Sequence, residues 1–208
     1  MFAVNVQGAF TVAEYARRSG ARQLIYASSG SIYGSTPAPL TEHAPVDLGA
    51  ARHFYVASKI AAEAVLSGYR GAVPITVLRL FIPYGRFQDD GMLMPQLVRK
   101  VSSGEPVILD RDGGLLINPV AVDDVCETIE RCLDRDESLT LNVGGPAALR
   151  LRDIAETIGR VVDRAPRFEH RDAAPPHIVG PTDAMRRTLG WAPAISLEEG
   201  LTRWLGGR

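Results

Sequence analysis

Short apolar runs alternate with helical stripes along most of this 208-residue chain, and that alternation confines it to folds built on a parallel α/β sheet. Gln23-Leu24-Ile25-Tyr26-Ala27 is too short for a helix and reads as a strand buried on both faces. It follows a helical stripe, Phe2, Val6, Phe10, Val12 and Ala13, which runs to Arg18 and meets a stop signal at Gly20. Pro37, Pro39 and Pro45 make the next segment a loop; an Ala-rich helix is expected over 53–68 and a β-branched strand over 75–81. Farther on the pattern predicts a helix around 95–102, a strand at 106–109, a turn at Asp112-Gly113-Gly114 and an extended segment at 118–122. A helix that Asp123 or Asp124 can cap follows, then a strand at 139–143 and helices at 151–162 and near 197–205. Chemistry gathers at the carboxyl ends of parallel strands, which singles out the polar loop Ser28-Ser29-Gly30.

Charge excludes several partners. A net charge of -1 gives no electrostatic reason to expect nucleic acid or an anionic membrane. No segment approaches the roughly 18 apolar residues needed to span a bilayer, and the start lacks the basic and apolar regions of a signal peptide. Cys126 and Cys132 cannot make a disulfide framework, so a reducing cytoplasm is expected. His43, His53, His170 and His177 show no metal-ligand spacing, and no metal is expected.

The chemistry-bearing pair is Tyr55 and Lys59 in Tyr55-Val56-Ala57-Ser58-Lys59. Four residues apart on a helix they share a face, so an ammonium can stand near the phenol and favour phenolate, making Tyr55 a usable general base. Ser29, 26 residues upstream at the end of a strand, offers a hydroxyl to the substrate oxygen that Tyr55 would deprotonate. Taken singly, a loop serine more often ties down its own backbone, and a Tyr/Lys pair is an ordinary surface feature.

The ordered set Asn5-Val6-Gln7-Gly8, Tyr26-Ala27-Ser28-Ser29 with Ile32-Tyr33-Gly34, Tyr55 to Lys59, Leu78-Arg79-Leu80-Phe81 with Tyr84-Gly85, Val122-Asp123-Asp124-Val125 and Leu189-Gly190-Trp191 resembles the extended short-chain dehydrogenase/reductase superfamily, in its NAD-dependent epimerase/dehydratase family. The resemblance implies a catalytic triad of Ser29, Tyr55 and Lys59, in which Tyr55 exchanges a proton with a substrate hydroxyl while a hydride passes between the adjacent carbon and nicotinamide. It implies a cofactor site formed by Asn5, Tyr55, Lys59 and Pro83, with Asn5 supporting the active-site helix and Pro83 lying against the nicotinamide. Ser29, Ser31 and Arg86 are the implied substrate-binding residues. Gly30 and Ser31 stand where the sugar dehydratases carry an Asp-Glu pair, so epimerase or dehydrogenase/reductase chemistry on a sugar nucleotide or similar carbinol is expected. Ile82 stands where nucleotide-sugar epimerases often carry Asn, and Ile117 where they carry Arg; Arg86, Arg150 or Arg152 would then take the phosphate contacts.

Members of this family begin with a strand and a glycine-rich turn that holds the pyrophosphate, and no such turn precedes Asn5; Gly144-Gly145 follows a late strand and reads as a turn. By the resemblance the chain is therefore expected to be truncated at its N-terminal side: a partial Rossmann-like parallel sheet lacking its N-terminal nucleotide-binding half, with a small α/β substrate-binding lobe. Residues 1–86 and 115–135 would form the Rossmann-like part, and 87–114 and 136–208 the lobe. NAD or NADP would belong to the intact family fold, and this chain alone would bind it poorly. Its partners would be a small molecule such as a nucleotide sugar and either a second copy, through helices 2–18 and 53–68, or a complementing N-terminal half. A second reading is a catalytically inactive remnant that binds a ligand or partner through its lobe.

Overall fold

The computed structural model describes residues 1–38, 40–49 and 53–206; Pro39, one of the three loop prolines, lies outside them. The chain opens with a wide π-helical segment, Ala3–Gln7, that passes directly into helix α1, Gly8–Ser19. Gly20 ends it in the left-handed region at φ 66°, where its N–H closes on the Ala16 carbonyl, as the sequence predicts. Strand β1 (Leu24–Ser29) runs into a tight 3-10 turn, Gly30–Tyr33, and after the loop come α2 (Phe54–Ser67) and β2 (Ile75–Leu80).

The second half is built from shorter pieces. Strand β3 (Pro83–Tyr84), α3 (Leu93–Ser103), β4 (Pro106–Leu109), β5 (Leu116–Ile117) and β6 (Val120–Ala121) lead to α4 (Val122–Cys132) and β7 (Leu139–Val143). Strand β8 (Leu149–Arg150), α5 (Leu151–Val161), β9 (Arg167–His170), β10 (His177–Ile178), α6 (Asp183–Leu189) and α7 (Leu197–Leu205) complete the described chain. The strands β9 and β10 fall in a Pro-rich stretch, running through Pro181, whose sequence carries no clean period, and the helix α6 follows it. Those strands exist because each pairs elsewhere: β9 with β4 and β10 with β5, both parallel.

The largest sheet is parallel, in the order β1-β2-β7, with Leu24 opposite Ile75 and Leu78 opposite Leu141. On one face α1 and α2 cover it, burying Ala9, Ala13, Ala62 and Leu66 on Ile75 and Val77. On the other, Leu78, Leu141 and Val143 meet Val125 and Cys132 of α4 and Met185 of α6. A separate core holds the second region together, where Met94 and Leu97 of α3, Ile154 and Ile158 of α5, and Leu201 and Trp204 of α7 pack around Tyr84. Trp204 thus anchors the last helix, and Trp191 packs by α6 with the Arg131 guanidinium 5.3 Å from its ring.

Neither Asp123 nor Asp124 caps α4, whose N-cap is Ala121. Asp124 instead accepts the N–H groups of Ala194 and Ile195 at 3.0 and 2.9 Å, fixing the approach to α7, and Asp123 pairs with Arg203. Burial pushes the Asp124 carboxyl above the usual range, against the pull of those two backbone donors. Among the described residues no helix is long and apolar enough to cross a membrane.

Candidate active site

Lys59 reaches from α2 to β1, where its ammonium donates to the Ala27 carbonyl at 2.8 Å, two residues before Ser29. Two rings flank it, that of Tyr26 at 4.9 Å and that of Tyr55 at 5.7 Å. Burial pushes the ammonium below its usual value, and the Glu63 carboxylate one turn along α2 works against that shift. Tyr55 is 43% exposed, so its side chain is open to a ligand.

The π segment has a visible use here. It carries Asn5, whose amide donates to Ser58 Oγ at 2.8 Å, and Ser58 in turn donates to the Tyr55 carbonyl at 2.7 Å. Asn5 therefore grips the first turns of α2 from the neighbouring helix. Ser29 caps the 3-10 turn that follows β1, accepting the Ser31 N–H at 3.2 Å and sharing a 2.7 Å hydrogen bond with the Ser31 hydroxyl. Tyr26 contributes a ring whose hydroxyl is buried and has no partner among the described residues; burial first, then the Glu63 and Tyr55 charges, push its pKa up to about 12. It stays a neutral phenol.

Pro83 lies just past the carboxyl end of β2, in β3, opposite Val120. Before it Ile82 sits at φ 47°, a left-handed conformation that costs a β-branched residue about 1–3 kcal/mol and that Asn enters more readily. Arg86 turns elsewhere. Its guanidinium donates to the Arg203 carbonyl of α7 at 3.4 Å, in a cavity of about 450 Å³ lined also by Tyr84, Phe87, Asp123, Cys126 and Trp204. That cavity contains none of Ser29, Tyr55 and Lys59. The structure thus gathers Asn5, Ser29, Ser31, Tyr55 and Lys59 about β1 and α2, with Pro83 beyond the adjoining strand end, and leaves Arg86 on the α7 side.

Gly30 has a physical reason. A Cβ there would meet the Phe81 ring at 2.6 Å, so an aromatic core residue leaves no room for a side chain at the position where the resemblance puts a dehydratase acid. Gly30→Asp is expected to destabilise the fold by about 1–3 kcal/mol through overpacking, measured by urea unfolding, and to create no water-eliminating activity.

Tyr26, Ser28, Tyr33, Ser58 and Arg79 stand in the motifs quoted from the sequence but are given no role there, and Glu63 is not singled out at all. Two signals for them were present, a charged Arg79 inside the apolar run Leu78 to Leu80 and a Glu63 continuing the four-residue spacing of Tyr55 and Lys59.

Comparison with known proteins places this geometry. The model of the NAD dependent epimerase/dehydratase family matches residues 1–144. UDP-glucuronic acid decarboxylase 1 of Arabidopsis thaliana is 30% identical over 209 residues, covering 96% of this chain and 48% of the relative. The chain thus spans about half the length of that relative. The solved structure of dTDP-glucose 4,6-dehydratase from Bacillus anthracis in complex with NAD superposes with a TM-score of 0.85 at 23% identity, over 99% of this chain and 67% of that one. That of UDP-glucose 4-epimerase from Thermus thermophilus, also with NAD, gives 0.83 at 25% identity, over 100% of this chain and 71% of that one.

These matches correct the expectation, drawn from reading the chain as truncated at its N-terminal side, that the residues present form a sheet outside the family's nucleotide-binding fold. The family match runs from residue 1, the opening helix with Gly8 is in place and packed on α2, and the fold follows the solved structures along its length. The doubts built on it, that the glycine-rich cofactor element is absent and that NAD or NADP would bind this chain poorly, lose their support, since the chain follows folds solved with NAD over 99% and 100% of its length. The chain belongs to the NAD dependent epimerase/dehydratase family.

Proposed function

We propose that the chain acts as an NAD(P)-dependent epimerase or dehydrogenase/reductase on a nucleotide sugar or similar carbinol. The observation that carries this is the placement of the Lys59 ammonium between the Tyr55 and Tyr26 rings, anchored on β1 two residues before Ser29. Tyr55 takes the proton from a substrate hydroxyl and returns it; Ser29, helped by Ser31, holds that oxygen. Lys59 stays cationic beside the phenol and offers its remaining N–H groups to a ribose. Asn5, through Ser58, keeps the Tyr55 turn in place, and Pro83 forms the apolar wall for the nicotinamide. The cofactor supplies the hydride acceptor and donor. Residues 1–86 and 115–135 carry this centre in our reading, and 87–114 and 136–208 close over the substrate, with Arg86 a contact from the α7 side.

The filled space at Gly30 favours epimerisation or oxidoreduction over elimination of water. Decarboxylation of a nucleotide hexuronic acid is a second reading, favoured by the 30% identical relative of that name; oxidation of the carbon beta to a carboxylate is enough for carbon dioxide to leave. A second copy is the proposed partner. Phe10 at 51%, Tyr15 at 72% and Phe54 at 61% exposure give α1 and α2 an apolar outer face suited to packing two helices on two. The free thiols Cys126 and Cys132 fit a reducing compartment such as the cytoplasm.

Titration calorimetry with NAD(H) tests the reading. The full chain is expected to bind with Kd below about 1 mM, and Lys59→Ala to weaken binding about tenfold, or 1.4 kcal/mol. No binding to the folded protein at that concentration would overturn it.

A further inference from the structure

Glu63 continues the stripe of Tyr55 and Lys59 one more turn along α2, and unlike them it is driven into the interior. Its carboxylate is held by a fork from Arg79, at 2.7 Å from Nη2 and 3.2 Å from Nε, and by the Ser28 hydroxyl at 2.5 Å. Arg79 and Ser28 are register partners on β2 and β1, so one carboxylate ties the helix to both strands. The second arm of Arg79 donates to Tyr33 Oη at 2.6 Å and to the Glu42 carbonyl at 3.2 Å, and Tyr33 donates to Asn142 of β7 at 3.0 Å. Ser28 and Tyr33 bracket the turn that Ser29 caps. The network therefore holds Ser29 from both sides and α2 from beneath.

We propose that Glu63 is a positioning residue for the proton-transfer centre: locked by Arg79 and Ser28, its carboxylate fixes the helix bearing Tyr55 and Lys59 against the strand bearing Ser29 and sets a negative charge four residues along α2 from Lys59. This rests on the function proposed above. The groups against the Lys59 ammonium are the Tyr55 ring on its own helix and the Tyr26 ring and Ala27 carbonyl on β1; Glu63 follows four residues along α2, forked to Arg79. Burial pulls the half-buried Lys59 ammonium below its usual value and the Glu63 charge works against it, while the Arg79 and Ser28 contacts fix where that charge sits.

The chain has only two lysines, Lys59 and Lys100, which makes the test clean. Reductive ¹³C-methylation of the full chain and NMR titration will follow both ammonium groups separately. Glu63→Gln is expected to lower the Lys59 midpoint by about one pH unit while Lys100 stays put, and Glu63→Asp to restore most of the shift. Should the single variant fail to fold, Glu63→Gln with Arg79→Met removes both buried charges, and the Lys59 midpoint is expected to fall by less than in Glu63→Gln alone, since a cation leaves with the anion. In turnover, Glu63→Gln should cut kcat about tenfold, move the basic limb of its pH profile to lower pH, and leave the sugar KM within about twofold. An unmoved Lys59 titration in every folded variant overturns the inference, as does a fall in kcat with no movement of that limb. Absence of any turnover in the wild-type chain would instead count against the proposed function, and the lysine titration would still decide the role of Glu63.

Discussion

Replacing Tyr55 by Phe is expected to lower kcat by about 10² to 10⁴-fold, the contribution of a positioned general acid-base group, while dinucleotide affinity stays within about threefold. The two effects separate because the phenol oxygen and the ammonium do different work. Tyr55 is open to a ligand, and its ring stands 5.7 Å from the Lys59 ammonium. Lys59 is fixed independently, by the Ala27 carbonyl, so a Phe ring leaves the cation where it is. The backbone of Tyr55 is also held without its hydroxyl, through Ser58 and Asn5. Steady-state kinetics beside calorimetry measure both quantities. A Tyr55→Phe protein that turned over at the wild-type rate would remove the phenol from the chemistry, and one that lost cofactor binding as well would show the ring to be a structural support.

The parallel sheet and the pair on α2 were legible because their signals are local. A β-branched run of six or seven residues and a four-residue Tyr-to-Lys spacing each follow from the geometry of one element, and β2, α2 and β7 appear within a residue or two of where the pattern puts them. What the sequence hid is what depends on two elements at once. Strands β9 and β10 are made by partners far away in the chain, β4 and β5, and no period in residues 165–181 announces them. Asp124 looked like a helix cap because its position in the sequence is a capping position; the fold brings the N–H groups of Ala194 and Ile195 to it, and a carboxylate takes the donors it is given. Arg86 has the right residue type for a phosphate, yet α7 supplies an acceptor first. The role of Gly30 could be read only as a missing acid until Phe81 was seen filling the space.

Arg79→Met is expected to destabilise the chain by about 3–5 kcal/mol, the cost of leaving one member of a buried ion pair without its partner. Arg79 is 8% exposed and the Glu63 side chain 14%, so neither charge can turn to water when the other is removed. Methionine fills most of the volume of the arginine stem, so little of the loss comes from a cavity. Glu63 would keep the Ser28 hydroxyl and lose the guanidinium fork, while Tyr33 Oη and the Glu42 carbonyl would each lose a donor. Adding Glu63→Gln should recover much of the stability, because a neutral amide is far cheaper to bury than an unpaired carboxylate and can still bond Ser28. Urea unfolding of the wild type, both single variants and the double variant closes a thermodynamic cycle, and a coupling above about 2 kcal/mol is expected. Additive losses would mean that the two charges are stabilised separately by their surroundings. The helix carrying Tyr55 and Lys59 would then be seated on the sheet by its alanine and leucine face alone, with Ala62 and Leu66 on Ile75 and Val77.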